Sequence, residues 1–261
     1  MKYFALIISF LLLPIASAFS VSDELGSFPY RNFLYNEYHG HFQNWAIVQD
    51  HRGIIYVANN NGILEYDGRN WSLIPVNNAV CRSLDVDESG RVWVGALNEM
   101  GYLAPDSEGA MSFHSVLHVL DQEEPIGLVR QIYATKNGIY FCTNGCIFRI
   151  KGNQLRKWYP KTYFHRTYCV ADTILSFQPD VGLTAMQGDT MVMVKGAERL
   201  EKTRIYTILP YDATRILIGT QSEGLFLLEV KTNCEGESAG KNLLEHFKTS
   251  NDPFFKENWI Y

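Results

Sequence analysis

Apolar residues in this chain occur in runs of four to six, and each run ends at a turn-forming residue such as Gly, Asp or Asn. Runs this short, rich in β-branched and aromatic residues, are typical of β-strands. The frequent Gly and Asn residues exclude long amphipathic helices. The clearest unit spans residues 44–68, where three apolar runs are separated by an Asp-x-x-Gly turn and a short polar loop. The hydrophobic pattern therefore predicts an all-β protein.

This unit recurs along the chain, with looser copies that begin near residues 81, 131, 168 and 205. A loop glycine marks each copy, and neighbouring glycines are 37 to 44 residues apart: Gly62, Gly101, Gly145, Gly182 and Gly224. A period of ~40 residues built from short strands is typical of propeller blades. We predict a β-propeller of four-stranded blades, with about five blades and the start of a sixth.

The predicted ring is incomplete. The repeats occupy residues 44–261, and the last residues, Asn258-Trp259-Ile260, resemble the beginning of the first blade at Asn44-Trp45-Ala46. We therefore expect the chain to be the N-terminal part of a longer protein or a truncated gene product. Unpaired strands at the two end blades would also favour a homodimer or aggregation.

The N-terminal residues have the pattern of a secretory signal. Lys2 supplies a positive charge, residues 4–15 form an apolar core, and residues 16–18 read Ala-Ser-Ala. We predict a signal peptide at residues 1–18, a lead-in segment at 19–43 and a periplasmic location. An uncleaved membrane anchor is the alternative, although the apolar stretch is short for a membrane span. The chain has no second hydrophobic segment, so any other membrane attachment would come from a helix further downstream.

Composition and charge limit the classes of partner. The chain is 46% hydrophobic and 13% aromatic, which is enough for a packed core. The net charge is −5 and there is no run of Lys or Arg, so we expect no nucleic-acid partner for this segment.

The cysteines do not follow a metal-binding pattern. There are five, an odd number: Cys81, Cys142, Cys146, Cys169 and Cys234. Cys142 and Cys146 flank a predicted loop and could form a disulfide, but buried thiols on strands are the favoured interpretation.

Motifs for catalysis or metal binding are not found in the sequence. Residues 85–90 resemble the first half of a calcium loop, but the position that requires a bidentate Glu is Ala96. The histidines have no metal-ligand spacing, and the chain has no P-loop, G-x-S-x-G or H-E-x-x-H motif. We therefore predict no metal, no cofactor and no catalytic residue. Paired carboxylates cannot be identified from spacing, because a propeller brings distant residues together.

Topology predicts where a ligand would bind. Alternate loops of a blade lie on opposite faces of a propeller, so the loops between second and third strands share one face with the connections between blades. Amide side chains are frequent in these loops, and the predicted ligand-binding residues are Asn59, Asn60, Asn98, Asn144 and Gln221. Amides both donate and accept hydrogen bonds, which suits a hydroxyl-rich small molecule or oligosaccharide. Capping of turns is the alternative role for these side chains.

Residues 48–68 and 86–95 carry the motif I-x-x-D-x-x-G-x-(I/L)-W-(I/V)-G in recognisable form. On this motif the chain resembles the two-component regulator propeller family of Bacteroidetes. The phrases at residues 43–47 and 59–62 resemble the branch whose propeller is followed by a triple-tyrosine module. The resemblance weakens in the fourth repeat, where residues 175–179 stand in place of the usual Asp-x-x-Gly turn.

The resemblance implies a periplasmic sensor that recognises a carbohydrate. It would signal through a transmembrane helix to a histidine kinase or DNA-binding module outside this segment. The chain itself has no phospho-acceptor, ATP-binding or helix-turn-helix motif, so we expect it not to be an enzyme. The alternatives are a propeller interaction scaffold, which would present an apolar rim, and a propeller lyase or glycosidase, which would cluster Tyr, His or carboxylates on the funnel face.

Overall fold

The computed structural model describes residues 30–77, 80–120, 125–229 and 243–258. The chain divides into two compact units, residues 1–33 and residues 34–261. The predicted signal peptide lies outside the described residues, as do residues 19–29 of the lead-in segment. The second unit contains five four-stranded antiparallel sheets, which confirms the all-β propeller architecture.

Each sheet is one blade, and strands that are neighbours in sequence are neighbours in the sheet. Blade 1 consists of β1 (Asn44–Gln49), β2 (Ile55–Asn59), β3 (Gly62–Tyr66) and β4 (Trp71–Ile74); blade 2 of β5 (Cys81–Val86), β6 (Val92–Ala96), β7 (Glu99–Pro105) and β8 (Met111–Ser115). Blade 3 consists of β9 (Gln131–Thr135), β10 (Gly138–Cys142), β11 (Ile147–Lys151) and β12 (Gln154–Trp158). Blade 4 consists of β13 (Arg166–Val170), β14 (Thr173–Gln178), β15 (Gly182–Gln187) and β16 (Thr190–Met193); blade 5 of β17 (Ile205–Pro210), β18 (Arg215–Thr220), β19 (Leu225–Glu229) and β20 (Leu244–His246).

Short helices connect or flank the blades. The α-helix α1 (Tyr35–Tyr38) precedes β1, and α2 (Asp252–Glu257) follows β20. Single turns of 3₁₀ helix lie at Leu117–Val119 and Glu198–Leu200. Within the described residues, no helix is long and apolar enough to cross a membrane.

The core lies between adjacent blades, where the apolar faces of neighbouring sheets meet. Tyr56 on β2 and Val94 on β6 are fully buried in the cluster shared by blades 1 and 2. Phe177 on β14 and Phe226 on β19 occupy the matching place between blades 4 and 5. Because one sheet cannot bury both of its faces alone, this stacking supplies the hydrophobic stabilisation of the fold.

Aspartate residues close the turns between first and second strands. The Oδ1 atom of Asp87 accepts hydrogen bonds from the backbone N–H groups of Ser89 and Arg91 at 2.9 and 3.1 Å. The Oδ2 atom of the same side chain accepts one from Trp93 Nε1 at 2.8 Å. Burial acts to raise the pKa of Asp87, but these hydrogen bonds outweigh it and lower the pKa overall. The Asp-x-x-Gly motif therefore works here as a hairpin turn.

Blade 4 is complete although its sequence repeat is degraded. Its first turn lies at Ala171 and Asp172, which both have left-handed backbones with φ of 47° and 59°. Positive φ at both central residues matches a tight hairpin turn. Residues 175–178, expected to stand in for the turn, instead lie inside β14.

The prediction that Gly101 is the loop glycine of blade 2 is wrong. Gly101 lies inside β7, and the loop falls earlier, at Leu97 and Asn98. A Cβ atom at Gly101 would lie 2.1 Å from the carbonyl oxygen of His114 on β8. The glycine therefore permits the close approach of two strands rather than a turn.

The described cysteines are free thiols. Cys81, Cys142 and Cys146 are buried and Cys169 is half-buried, while Cys234 lies outside the described residues. Burial raises the pKa of Cys146 to about 11, so its thiol stays protonated at neutral pH. The interpretation as buried thiols is therefore supported over a disulfide between Cys142 and Cys146.

The predicted start of a sixth blade falls mostly outside the described residues, which end at Asn258. Asn258 follows α2, and its backbone N–H and its side-chain Nδ2 both donate to the carbonyl of Phe254, at 2.9 and 3.0 Å. Asn258 therefore ends a helix. Whether residues 259–261 begin a strand stays a prediction.

Candidate functional site

The loops between second and third strands are tied to the segments that enter the innermost strands. The backbone N–H groups of Asn60, Leu97 and Gln221 donate to the carbonyls of Gln43, Val80 and Arg204, at 3.4, 3.0 and 2.8 Å. These bonds confirm that the two kinds of segment share one face of the blades. We call this the loop face; the Asp-x-x-Gly turns lie at the opposite end of the same strands.

Three innermost strands carry a β-bulge next to the loop face. The register shifts between Asn44 and Ala46 in β1, between Cys81 and Ser83 in β5, and between Ile205 and Thr207 in β17. The extra residues are Trp45, Arg82 and Tyr206, each the second residue of its strand. A bulge leaves its extra residue outside the ladder and re-aims the side chain, and bulges are frequent near binding sites.

The bulge residues of blades 1 and 2 contact each other. The guanidinium carbon of Arg82 lies 3.2 Å from the centre of the Trp45 ring, in a cation–π arrangement. Trp45 also donates from its Nε1 atom to Oδ1 of Asn60 at 2.7 Å. The indole is 39% exposed, so it is held in place while part of its surface faces solvent.

A second aromatic and cationic cluster lies between blades 4 and 5. The guanidinium carbon of Arg166 lies 5.0 Å from the centre of the Tyr206 ring. The ring centres of His165 and Tyr206 are 5.3 Å apart in an edge-on arrangement, and Tyr163 contacts His165 on another side. Both clusters thus combine an aromatic bulge residue with a cation from the neighbouring blade.

Two further arginines precede innermost strands at the same face: Arg130 lies just before β9 and Arg204 just before β17. Burial lowers the pKa of Arg82, and the charge of Arg130 lowers it further. Burial also lowers the pKa of His165, and Arg204, Arg166 and Arg130 lower it further. The four side chains Arg82, Arg130, Arg166 and Arg204 form what we call the arginine cluster. In the ion pairs found among described residues, none of the four takes part.

Two of the predicted ligand-binding amides organise blade 1. Asn59 is buried, its Nδ2 donates to the carbonyl of His41 at 2.6 Å, and its Oδ1 accepts from the N–H of His41 at 2.9 Å. Asn60 accepts from Trp45 and donates to Oε1 of Gln43 at 2.6 Å. Of the two predicted residues, Asn60 therefore contacts a bulge side chain. Asn59 instead bonds to the backbone, which is the turn-capping role named above as the alternative.

The other three predicted amides lie on the loops of blades 2, 3 and 5. Asn98 is exposed, has a left-handed φ of 54°, and accepts from the N–H of Gly127 at 2.9 Å. The carbonyl of Asn144 accepts from the N–H of Phe164 at 2.9 Å, and the N–H of Gln221 bonds to Arg204. The structure thus places all five at the loop face. Ligand binding by them stays a prediction.

Two other polar features lie away from this cluster. In blade 1, the buried Asp50 pairs with Arg52 at 2.7 Å, and Arg52 donates to the hydroxyl of Tyr56 at 2.9 Å. Burial raises the pKa of Tyr56 to about 12. A cleft of about 410 Å³ lies beside the outer strands of blades 3 and 4, between Lys157, Trp158 and Met191 among others. Among described residues no group of three His, Cys, Asp or Glu side chains could hold a metal.

No family model matches the chain, and no curated protein does. Solved structures are similar in fold. Virginiamycin B lyase from Staphylococcus aureus is 14% identical with a TM-score of 0.56, over 84% of this chain and 73% of that one. The extracellular domain of a B. thetaiotaomicron hybrid two-component system is 14% identical with a TM-score of 0.53, over 78% of this chain and 27% of that one. PorZ of Porphyromonas gingivalis is 14% identical with a TM-score of 0.50, over 84% and 35%.

These similarities confirm the propeller fold. The two-component regulator family and its triple-tyrosine branch stay predictions from the sequence. The sequence did not reveal the bulges at Trp45, Arg82 and Tyr206 or the arginine cluster. An aromatic or charged residue at the second position of three innermost strands was the available signal, and it appears only after the repeats are aligned.

Proposed function

We propose that this chain is the ligand-binding part of a periplasmic sensor, and that it recognises a carbohydrate at the loop face. The observation that carries the proposal is the arrangement at blade 1, where Trp45 is oriented by Asn60 and Arg82 and still exposes part of its ring. A fixed, partly exposed aromatic ring with amides beside it can stack on a sugar and bond its hydroxyl groups.

The sensor role rests on the family resemblance in blades 1 and 2 and on the similar extracellular domain of a two-component system. In this proposal the ligand changes the packing of the blades. A transmembrane helix and a kinase or DNA-binding module in another part of the protein would then respond. The periplasmic location follows from the predicted signal peptide at residues 1–18.

Binding to a panel of oligosaccharides, measured by isothermal titration calorimetry, tests the proposal. We expect at least one oligosaccharide to bind the full chain and Trp45→Ala to weaken that binding. Tyr211→Ala is the matched control, because Tyr211 is an exposed aromatic that follows β17 at the opposite end of the blade. No binding to any oligosaccharide, or an equal loss in both variants, would reject a carbohydrate site at the loop face.

One observation favours a second candidate, a polysaccharide lyase. His165, Tyr206 and Tyr163 form a cluster on the loop face, which is what an enzyme of this fold would require. Burial keeps His165 neutral near pH 7, which suits a general base. A lyase would cleave an acidic polysaccharide and release unsaturated sugars, which absorb ultraviolet light. Absence of such products together with ligand binding would leave the sensor as the function.

A further inference from the structure

The arginine cluster gathers positive charge at one place on an acidic protein. The chain has a net charge of −5, yet Arg82, Arg130, Arg166 and Arg204 all lie at the first residues of innermost strands or just before them. The hydroxyl of Ser83 donates to the carbonyl of Val129 at 2.9 Å, so the residues next to Arg82 and Arg130 are in contact. The hydroxyl of Tyr168 donates to the carbonyl of Ile205 at 2.9 Å, which joins the strand that begins at Arg166 to the residue after Arg204. Like charges that lie close together repel one another, and a negative counter-charge would relieve this repulsion.

The nearby carboxylates do not supply this compensation. Glu99 is buried, and its two oxygens accept from Asn77 Nδ2 and from Ser115 Oγ, each at 2.7 Å. Glu223 bonds to the hydroxyl of Thr203. Among described residues, neither carboxylate forms an ion pair with an arginine of the cluster. An anion from outside the described chain is therefore the group that the charges lack.

A buried nitrogen atom beside the cluster is a second observation in favour of a ligand. The Nδ1 atom of His165 is buried and has no hydrogen-bond partner among the described residues. Its ring touches Tyr206 and lies near three arginines of the cluster. A buried nitrogen without a partner is rare and costs free energy unless a ligand or water satisfies it.

Two of the arginines are also held in place for an oxyanion. Arg82 is held against the Trp45 ring and Arg166 against the Tyr206 ring. A ring against a guanidinium group limits its movement while its N–H groups remain able to donate. These N–H groups form a fork that matches the two oxygens of a carboxylate or sulfate. The aromatic rings beside the fork provide a surface for the sugar that carries the acid.

We infer that the arginine cluster selects acidic oligosaccharides, with a carboxylate or sulfate of the sugar bound by its guanidinium groups. This inference rests on the proposed function and names the ligand class for the same face. The net negative charge of the chain and the small extent of the cluster disfavour a long polyanion such as a nucleic acid.

Calorimetric titration of the full chain with four probes tests the inference: an oligogalacturonate, a sulfated dextran oligosaccharide, an uncharged dextran oligosaccharide of equal length, and inorganic phosphate. We expect one acidic probe to bind at least about tenfold more tightly than the uncharged one, and more weakly as salt is added. The probe that binds distinguishes carboxylate from sulfate as the anionic group.

Variants locate the effect. Arg82→Ala and, independently, the exposed Arg204→Ala should each weaken binding of the acidic probe about tenfold or more, because a charge-assisted hydrogen bond is lost. Arg82→Lys should recover little, since Lys has no fork. Arg69→Ala, an exposed arginine on the turn between β3 and β4, is the matched control. Thermal unfolding of each variant shows whether it is folded.

Three outcomes would overturn the inference. Equal binding of uncharged and acidic probes would leave a carbohydrate sensor without acid selection. Equal binding of inorganic phosphate and of the sugar acid would mean that the ligand is a small anion and not an oligosaccharide. Acid-selective binding that is unchanged in both Arg82→Ala and Arg204→Ala would show that the binding site is not at the arginine cluster. If no oligosaccharide binds, the proposed function itself fails.

Discussion

The Oδ2 atom of Asp85 on β5 accepts a hydrogen bond from the backbone N–H of Ala134 on β9 at 2.7 Å. This bond joins the innermost strands of blades 2 and 3. The Oδ1 atom accepts from the N–H of Val86 at 2.9 Å. Burial raises the pKa of Asp85, although these two hydrogen bonds partly lower it. The side chain is thus a half-buried acceptor placed between blades.

Replacement of this acceptor should loosen the junction of blades 2 and 3. Asp85→Ala leaves the N–H of Ala134 without its partner, and a buried unsatisfied donor costs about 1–3 kcal/mol. Asp85→Asn keeps an acceptor oxygen and removes the buried charge, so it should retain more of the stability. Urea denaturation measures the free energy of unfolding. Equal losses in Asp85→Ala and Asp85→Asn would contradict a role for this hydrogen bond.

Tyrosine hydroxyls join the later blades in the same way. Tyr133 donates to the carbonyl of Thr167 at 2.5 Å, and Tyr168 donates to the carbonyl of Ile205 at 2.9 Å. Burial raises the pKa of both phenols, so they remain donors at neutral pH. We expect Tyr168→Phe to lower the free energy of unfolding by about 1 kcal/mol. Tyr211→Phe, at an exposed tyrosine, should be neutral in the same assay; a similar loss there would show that the interblade bond is not the cause.

Glycine is required in blade 2 where two strands approach closely. Gly101→Ala would place a methyl group 2.1 Å from the carbonyl oxygen of His114. The pairing of β7 and β8 must then shift, which we expect to cost about 2 kcal/mol or more. Gly145→Ala is the matched control, since a Cβ atom there has no heavy atom within 4 Å. The melting temperature should fall clearly for the first variant and little for the second; comparable melting temperatures would be evidence against the close approach.

His165 should make the fold sensitive to mild acid. Burial is the main cause of its lowered pKa, and the charges of Arg204, Arg166 and Arg130 lower the pKa further. Its other neighbours, Tyr163, Tyr206 and Phe177, make only ring contacts with it. In the unfolded chain its pKa is about 6.5, so the unfolded state takes up a proton at higher pH than the folded state does. Stability is therefore retained above that value and is lost as pH falls from about 6.5 towards the folded pKa.

Unfolding measured between about pH 7.5 and pH 5.5 tests this dependence. His165→Gln should lose less stability over this range than the wild type, because its side chain does not titrate. Acidic ligands should reverse the trend and bind more tightly at the lower pH, since a protonated His165 adds a positive charge to the arginine cluster. Identical pH profiles of wild type and variant would show that His165 does not carry the dependence.

The blades could be predicted from sequence because their signals are local. Run length, β-branched residues and turn formers predict three apolar runs within residues 44–68, and the structure has β1, β2 and β3 there. Local signals fail where pairing decides the structure. The repeat pattern predicts a loop at Gly101, but glycine is needed there because of His114, a partner on another strand. The turn of blade 4 uses Ala171 and Asp172 in place of the repeat's Asp-x-x-Gly, so sequence alignment misplaced it.

The candidate site was predicted in part. The topology of a propeller was enough to place the loop amides on one face, and the structure puts Asn60 beside Trp45 there. The bulges depend on the register of two strands and have no single-residue signature. The arginine cluster combines residues from separate blades: Arg82 and Arg130 are 48 positions apart, and their neighbours Ser83 and Val129 meet only once the innermost strands are arranged.

Hydrogen–deuterium exchange of the full chain, with and without a bound oligosaccharide, tests most directly whether the loop face is the binding surface. We predict slower exchange in the loops at residues 59–61, 97–98, 143–146 and 221–224 and at the first residues of β1, β5 and β17. The turns at residues 50–53 and 87–90 should exchange as before. Protection confined to those turns would contradict a ligand site at the loop face.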